Sequence, residues 1–390
     1  MPIHLTNDTR RARLVYRHHL DRTAADAGEA VAGVLALHSS DPASPYLAAW
    51  ARVRPPFTTG DLDDSLFEER SLWRLHAMRR TLFVIDTRDG PMFQAAVGET
   101  VAAREWARLH KWLSADMPAD SIEPWLRGLI GEVEEVLADG APRRTTELAD
   151  VVPDLRRPIV VGSGKWAGRA PLSSRLLYLM AMDGRIVRGR PAGTWRSSQY
   201  HWVAANAWFT AAPGVVTPTA GRAELLTRYL ASFGPATTTD IRWWTGWNAG
   251  DTRVALEEAG AVSVSLDDGE GWVLDGDFEA PPLEGRVVSF LPGLDSTPMG
   301  WKEREWYLAG HGAALFDRNG NVGPTIWLDG QIVGGWGQQP DRRVAYRILS
   351  EVDADAVRLI TERAEELTAW LDGVAVTPRF RAPLERELSQ

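Results

Sequence analysis

Between residues 23 and 38 the apolar positions follow the three-and-four spacing of one helical face, with Val31, Val34, Leu35 and His38 in line. A second helix is expected directly afterwards. Either Asp41-Pro42 or Ser44-Pro45 supplies a capping side chain followed by proline at the first helical position. His38, Ser39 and Ser40 therefore fall at a helix-to-helix junction, where free backbone N–H groups can hold an anion or an ordered water.

Further along, a unit of short helices leading into two strands recurs three times. The first copy occupies 71–86, with a turn expected at 88–91 and a strand at 92–97. The second runs from a helix at 173–184 into strands at 185–190 and 198–203, and the third from 254–260 into strands at 261–266 and 271–274. Helices followed by a two-stranded ribbon are the pattern of a winged helix. From Arg286 the pattern changes to strands, at 287–291, 312–316, 325–328 and 331–336, with hairpin signals at Asn319-Gly320 and Asp329-Gly330. A last helix is expected over 354–370, with Leu359, Ala364, Leu367 and Trp370 on its apolar side. The predicted fold class is α+β: tandem winged-helix (helix-turn-helix) units at 1–140, 141–215 and 216–284, then a β-rich module with a terminal helix at 285–390.

Composition narrows the chemistry. The 390 residues include no cysteine, which excludes disulfides, thiolate metal sites and cysteine nucleophiles. No apolar run is long enough for a membrane span, and the N-terminus lacks the apolar core of a signal peptide, so a cytoplasmic protein is expected. The net charge is −9, yet 156–196 holds nine basic residues against one acid, Asp183. An acidic body with one basic, glycine- and tryptophan-bearing face can be steered onto DNA in one orientation. Lys165, Arg169, Arg175, Arg185, Arg188, Arg190 and Arg196 are the candidate DNA-binding residues, against the blander reading of a solvated face.

Other constellations fail. Gly162-Ser-Gly-Lys165 lacks the first glycine and the final Ser or Thr of a phosphate loop. The eight histidines show no metal-ligand spacing, and there is no Gly-x-Ser-x-Gly elbow. Trp243, Trp244 and Trp247 read as core at helical spacing rather than as a base-stacking surface. No metal and no cofactor are expected.

The junction at 35–52 and Met78-Arg-Arg-Thr-Leu-Phe83 together resemble the AlkZ-like winged-helix DNA glycosylases, which include the YcaQ type. Ser198-Gln-Tyr-His-Trp202, 236–243, Leu291-Pro-Gly-Leu-Asp295 and 327–336 extend the likeness over nearly the whole chain. The resemblance implies monofunctional excision of N-alkylated purines, including bulky N7 and N3 adducts and some interstrand crosslinks, from double-stranded DNA. The expected partner is duplex DNA carrying such lesions, bound by a monomer, in repair or in self-resistance to an alkylating agent.

The family's signature is glutamine–apolar–glutamine, or glutamine–apolar–aspartate, just before Asp-Pro. His38 and Ser40 stand at those positions here, with Ser39 between them. On this reading His38 holds the attacking water and accepts its proton, Ser40 is the second water ligand, and Asp41 assists. A winged-helix transcription regulator and a non-catalytic adduct-binding protector are the alternatives.

Overall fold

A computed structural model describes the chain except for residues 1–2, 163, 165–166 and 211–213. Strand β1 (His4–Leu5) precedes helix α1 (Asn7–Arg17), capped by the Thr6 hydroxyl accepting from the Thr9 N–H. Helix α2 (Ala27–Gly33) is capped in the same way by Asp26. It ends early: Leu35 turns left-handed at φ 61°, and Leu37–His38 form a short strand, β2. The helical face expected to reach His38 is thus corrected. The reason lies far away in sequence, since β2 completes the free edge of β4 (Leu82–Asp86), which pairs on its other side with β3 (Leu72–His76).

Helix α3 (Ser44–Trp50) starts at the second of the two expected positions, with Pro45 in its first turn, and it is buried along its whole length. Helix α4 (Thr59–Asp63) follows and runs through a wide turn, 64–68, toward β3. In this first unit the ribbon turns at Met78-Arg79-Arg80, not at 88–91. The strand expected at 92–97 is instead helical: α5 (Gly90–Phe93) leads through a π-helical turn, Gln94–Gly98, into α6 (Glu99–Leu113). Every residue of 92–98 but Gln94 is buried, and packing of this segment against α11 accounts for the difference.

Helix α7 (Ala119–Val136), strand β5 (Arg143–Arg144) and helix α8 (Thr145–Val151) come next. A two-stranded ribbon, β6 (Pro158–Val161) and β7 (Gly168–Pro171), then leads to α9 (Ser173–Met182) and the expected ribbon of β8 (Ile186–Pro191) and β9 (Tyr200–Ala204). After the short α10 (Ala205–Trp208), helices α11 (Pro218–Phe233), α12 (Thr238–Thr245) and α13 (Ala249–Glu258) lead to β10 (Ala261–Leu266) and β11 (Gly269–Leu274), the third ribbon in its expected register.

The C-terminal part is an antiparallel sheet, β12 (Val288–Leu291), β13 (Thr325–Leu328), β14 (Gln331–Gln338) and β15 (Val344–Ile348), in that order. Between β12 and β13 lie two single-turn helices, α14 (Glu305–Leu308) and α15 (Gly312–Leu315), so the strand expected at 312–316 is corrected as well. Helix α16 (Ala354–Leu371) packs across β12 and β15, and α17 (Pro383–Leu388) against β14. The protein is therefore α+β. One apolar core joins α1–α3, the first ribbon, α11–α13 and the C-terminal sheet, and a second gathers α7–α9 with the end of α6. No helix among the described residues is long and apolar enough to cross a membrane.

Candidate active site

The stretch 36–44 sits where the first ribbon meets the C-terminal module. The Ser39 N–H donates to the Leu82 carbonyl at 2.7 Å. The Ser40 hydroxyl accepts from the Leu82 N–H at 3.2 Å, so a side chain extends the β2–β4 ladder where the backbone has begun to leave it. Ser296 Oγ accepts from the His38 N–H at 3.2 Å and donates to the Ala36 carbonyl at 2.5 Å. The Ser44 hydroxyl donates to the Gly293 carbonyl at 2.7 Å rather than capping α3. Loop 292–297 is thereby fastened along the stretch.

Asp41 is committed to holding that arrangement. One carboxylate oxygen accepts from the Ala43 N–H at 3.1 Å and the other from the Arg379 N–H at 2.8 Å. Burial raises its pKa, and the two backbone donors oppose that rise. Arg379 also reaches the Ser40 carbonyl, at 3.3 Å. Asp41 is a clamp between the stretch and the C-terminal segment.

His38 is 6% exposed and meets the Phe83 ring edge-on at 5.0 Å. Desolvation, with a further push from Arg79, lowers its pKa to about 3. Its Nδ1 accepts the Ser40 N–H at 3.4 Å, an orientation assigned from the hydrogen-bond network. The neutral ring then carries its proton on Nε2. So placed, His38 is a neutral donor of low basicity. Beside it, the Ser39 hydroxyl is buried with no hydrogen-bond partner among the described residues.

Arg79 is the residue near this site that charge counting passed over, although it stands in the quoted Met78–Phe83 segment. Arg79 and Arg80 both adopt left-handed φ, 52° and 66°, at the tip of the first ribbon. Such conformations cost about 1–3 kcal/mol each for non-glycine residues and persist only where the surroundings impose them. The Arg79 guanidinium lies 4.0 Å from the Trp243 ring centre, and burial, then Arg304, lowers its pKa to about 10.

Most of the basic residues expected between 156 and 196 are paired or packed by their neighbours. Lys165 lies outside the described residues. Arg169 is exposed on β7. Arg175 lies 5.6 Å from the Trp112 ring centre. Arg185 pairs with Glu134 at 2.8 Å, Arg190 with Glu68 at 2.5 Å, and Arg196 donates to the Ala375 carbonyl at 2.5 Å. Arg188 is buried, donating to His76 Nδ1 at 3.2 Å and lying 4.8 Å from the Trp202 ring centre. Register places His38, Phe83 and Leu75 on one face of the first ribbon's sheet, and His76 on the other. Arg188 is therefore on the far side from His38. Trp244 and Trp247 are core residues, as their spacing suggested, whereas Trp243 is corrected: it is half-buried, with Arg79 and Arg304 over its ring.

A family model described as DNA glycosylase AlkZ-like matches residues 31–386. Among solved structures, the DNA glycosylase AlkZ of Streptomyces sahachiroi is similar, with a TM-score of 0.74 and 20% identity over 96% of this chain and 99% of that one. No curated protein matches the chain.

Proposed function

The chain belongs to the AlkZ-like DNA glycosylase family and is a DNA N-glycosylase, and from that premise we propose that it hydrolyses the glycosidic bond of N3- or N7-alkylated purines in duplex DNA, acting as a monomer. The observation that carries the proposal is a neutral histidine beside two serine hydroxyls at the position of the family's signature. Alkylation makes the purine cationic, so the C1′–N9 bond breaks with its electron pair staying on the base, which leaves as a neutral molecule. Water forms the new C1′–O bond and gives up its proton to solvent. No acid has to drive off such a leaving group.

What the site must supply is a placed water and dipoles that tolerate positive charge on the sugar. An imidazolium would oppose an oxocarbenium-like transition state, and the burial that holds His38 neutral removes that opposition. The neutral amide at the signature's first position is thus replaced by a group of the same charge type. With Nδ1 occupied, His38 offers an Nε2–H donor rather than a base, which revises its expected role as acceptor of the water's proton. The Ser39 and Ser40 hydroxyls are the acceptors available to the water. The helix-and-ribbon units serve as winged helices that hold the duplex, and exposed Arg169 is one of their phosphate contacts. Bulky adducts and crosslinks fit the shorter side chains at 38 and 40.

The test is incubation with a duplex bearing one bulky N7-alkylguanine, followed by heat or alkali to break abasic sites. Strand breaks at the adduct, lost in His38→Ala with duplex binding retained, support the reading. Intact strands with the wild-type protein, or undiminished breaks with His38→Ala, overturn it.

A further inference from the structure

The cleft beside the tip of the first ribbon differs in charge from two other clefts of similar size. It encloses about 1010 Å³ between α6, α11 and the turn from α12 to α13. Arg79, Arg80, Arg104, Arg108 and Arg222 line it, against only Glu105 and Asp251. By contrast, a cleft of about 950 Å³ is lined by Asp8, Asp329, Glu351 and Asp353 against two arginines. Another of about 1020 Å³ has Glu123, Glu134 and Asp183 against two arginines.

The arginines are arranged, not merely numerous. Glu105, 8% exposed, accepts from Arg80 at 3.0 Å and from Arg108 at 2.6 Å, which fixes two guanidiniums around one carboxylate and leaves a net positive edge. Thr100, Arg104 and Arg108 recur at i, i+4 and i+8 on the face of α6 that lines the cleft. That spacing sets successive side chains about 6 Å apart along the axis, a stride similar to that between neighbouring phosphates of one strand. Arg104 is exposed and makes no ion pair with the described residues. The ribbon ties the cleft to the reaction site, since Arg79 and Arg80 form its tip and His38 pairs with Phe83, three positions beyond Arg80.

We propose that this cleft, and not the 185–196 segment, is the principal seat of the phosphodiester backbone of a DNA strand. The proposal rests on the chain acting on DNA, and deepens that reading by naming the contact surface. A strand running through it passes the ribbon tip and brings its sugars toward the 38–40 stretch. Arg80 and Arg108, already ordered by Glu105, lose little side-chain freedom on binding. Arg104 closes the ion contacts on one wall and Arg222 on the other, the latter held only loosely by Asp251 at 3.6 Å, against 2.8 and 2.5 Å for the pairs of Arg185 and Arg190.

The test is binding of an undamaged duplex over a salt series, which needs no excision. Arg104→Ala combined with Arg222→Ala is expected to weaken binding and to flatten the slope of log K against log salt by about 0.9 per contact removed. Arg185→Ala combined with Arg190→Ala leaves the slope unchanged, because those side chains are held by Glu134 and Glu68. An unchanged slope in the first pair, or a loss confined to the second, overturns the proposal. A flattened slope in a protein that releases no alkylpurine upholds the cleft and sinks the excision reading alone.

Discussion

Removing Asp295 is expected to strand a buried charge and to destabilise the fold strongly. Arg52 and Asp295 are both fully buried and joined by two bonds, 2.9 and 2.7 Å. Arg52 also donates to the Ala48 carbonyl at 2.9 Å and to Thr297 Oγ1 at 2.8 Å, while its Nε has no partner among the described residues. Asp295→Ala leaves a sealed guanidinium with two neutral acceptors. Breaking a buried pair from one side costs about 3–5 kcal/mol, most of it the uncompensated charge. At about 1.4 kcal/mol per decade, the folding equilibrium falls at least about 100-fold. Urea unfolding followed by tryptophan fluorescence reads the loss directly, because Trp301, Trp327 and Trp336 lie in the same core. Arg52→Met combined with Asp295→Leu removes both charges at similar volume and is expected to restore most of the stability. A cost below about 1 kcal/mol for each single variant, or a cycle with no coupling between them, refutes the account.

Two further outcomes are expected. His38 titrates at about 3 in the folded chain, against about 6.5 unfolded. Between those values the unfolded state holds more protons, so stability falls as pH drops below about 6.5, with a slope approaching 1.4 kcal/mol per pH unit from this residue. His38→Gln is expected to remove that share from urea midpoints measured between pH 6 and 4, and an unchanged slope would falsify the burial argument. In the C-terminal sheet, a Cβ on Gly334 would stand 2.2 Å from the Arg347 carbonyl oxygen and 3.1 Å from the Ile348 Cα. Gly334→Ala therefore splays β14 from β15 and costs about 1–3 kcal/mol; an unaltered thermal midpoint would show that the strands part freely.

What the sequence revealed was local in origin. The ribbon of β10 and β11 could be placed because a tight Asp267-Asp268-Gly269 turn joins two short runs of strand-forming residues. Helix α16 could be placed by its apolar side. Strand β2 could not, since two residues carry no period and their partner lies about 45 positions away in β4. The segment 92–97 misled because its short apolar run fits either element, and packing against α11 decides for helix. At the site, motif position singled out His38 and Ser40. Ser296 and Arg379, which hold them, lie 258 and 339 residues further along and have no local signature. Counting charge found Arg188 but not its burial, and overlooked Arg79 and Arg104, which lie outside the basic run.

The docking of the C-terminal module and the charge state of His38 are one property. Burial is the largest cause of the low His38 pKa, and the residues that close over the stretch include Ser296 on its backbone and Arg379 on Asp41. Arg52 and Asp295 lock the same loop onto α3, one residue from Ser296. A weakened lock admits water to the imidazole, raises its pKa toward the ordinary histidine range and charges it as pH falls. On the proposed mechanism the site then loses its neutral dipole where a cationic sugar is to form. On that mechanism the β-rich module, though remote in sequence from the 38–40 stretch, works as part of the site: it sets the dielectric around the histidine proposed to stand in for an amide.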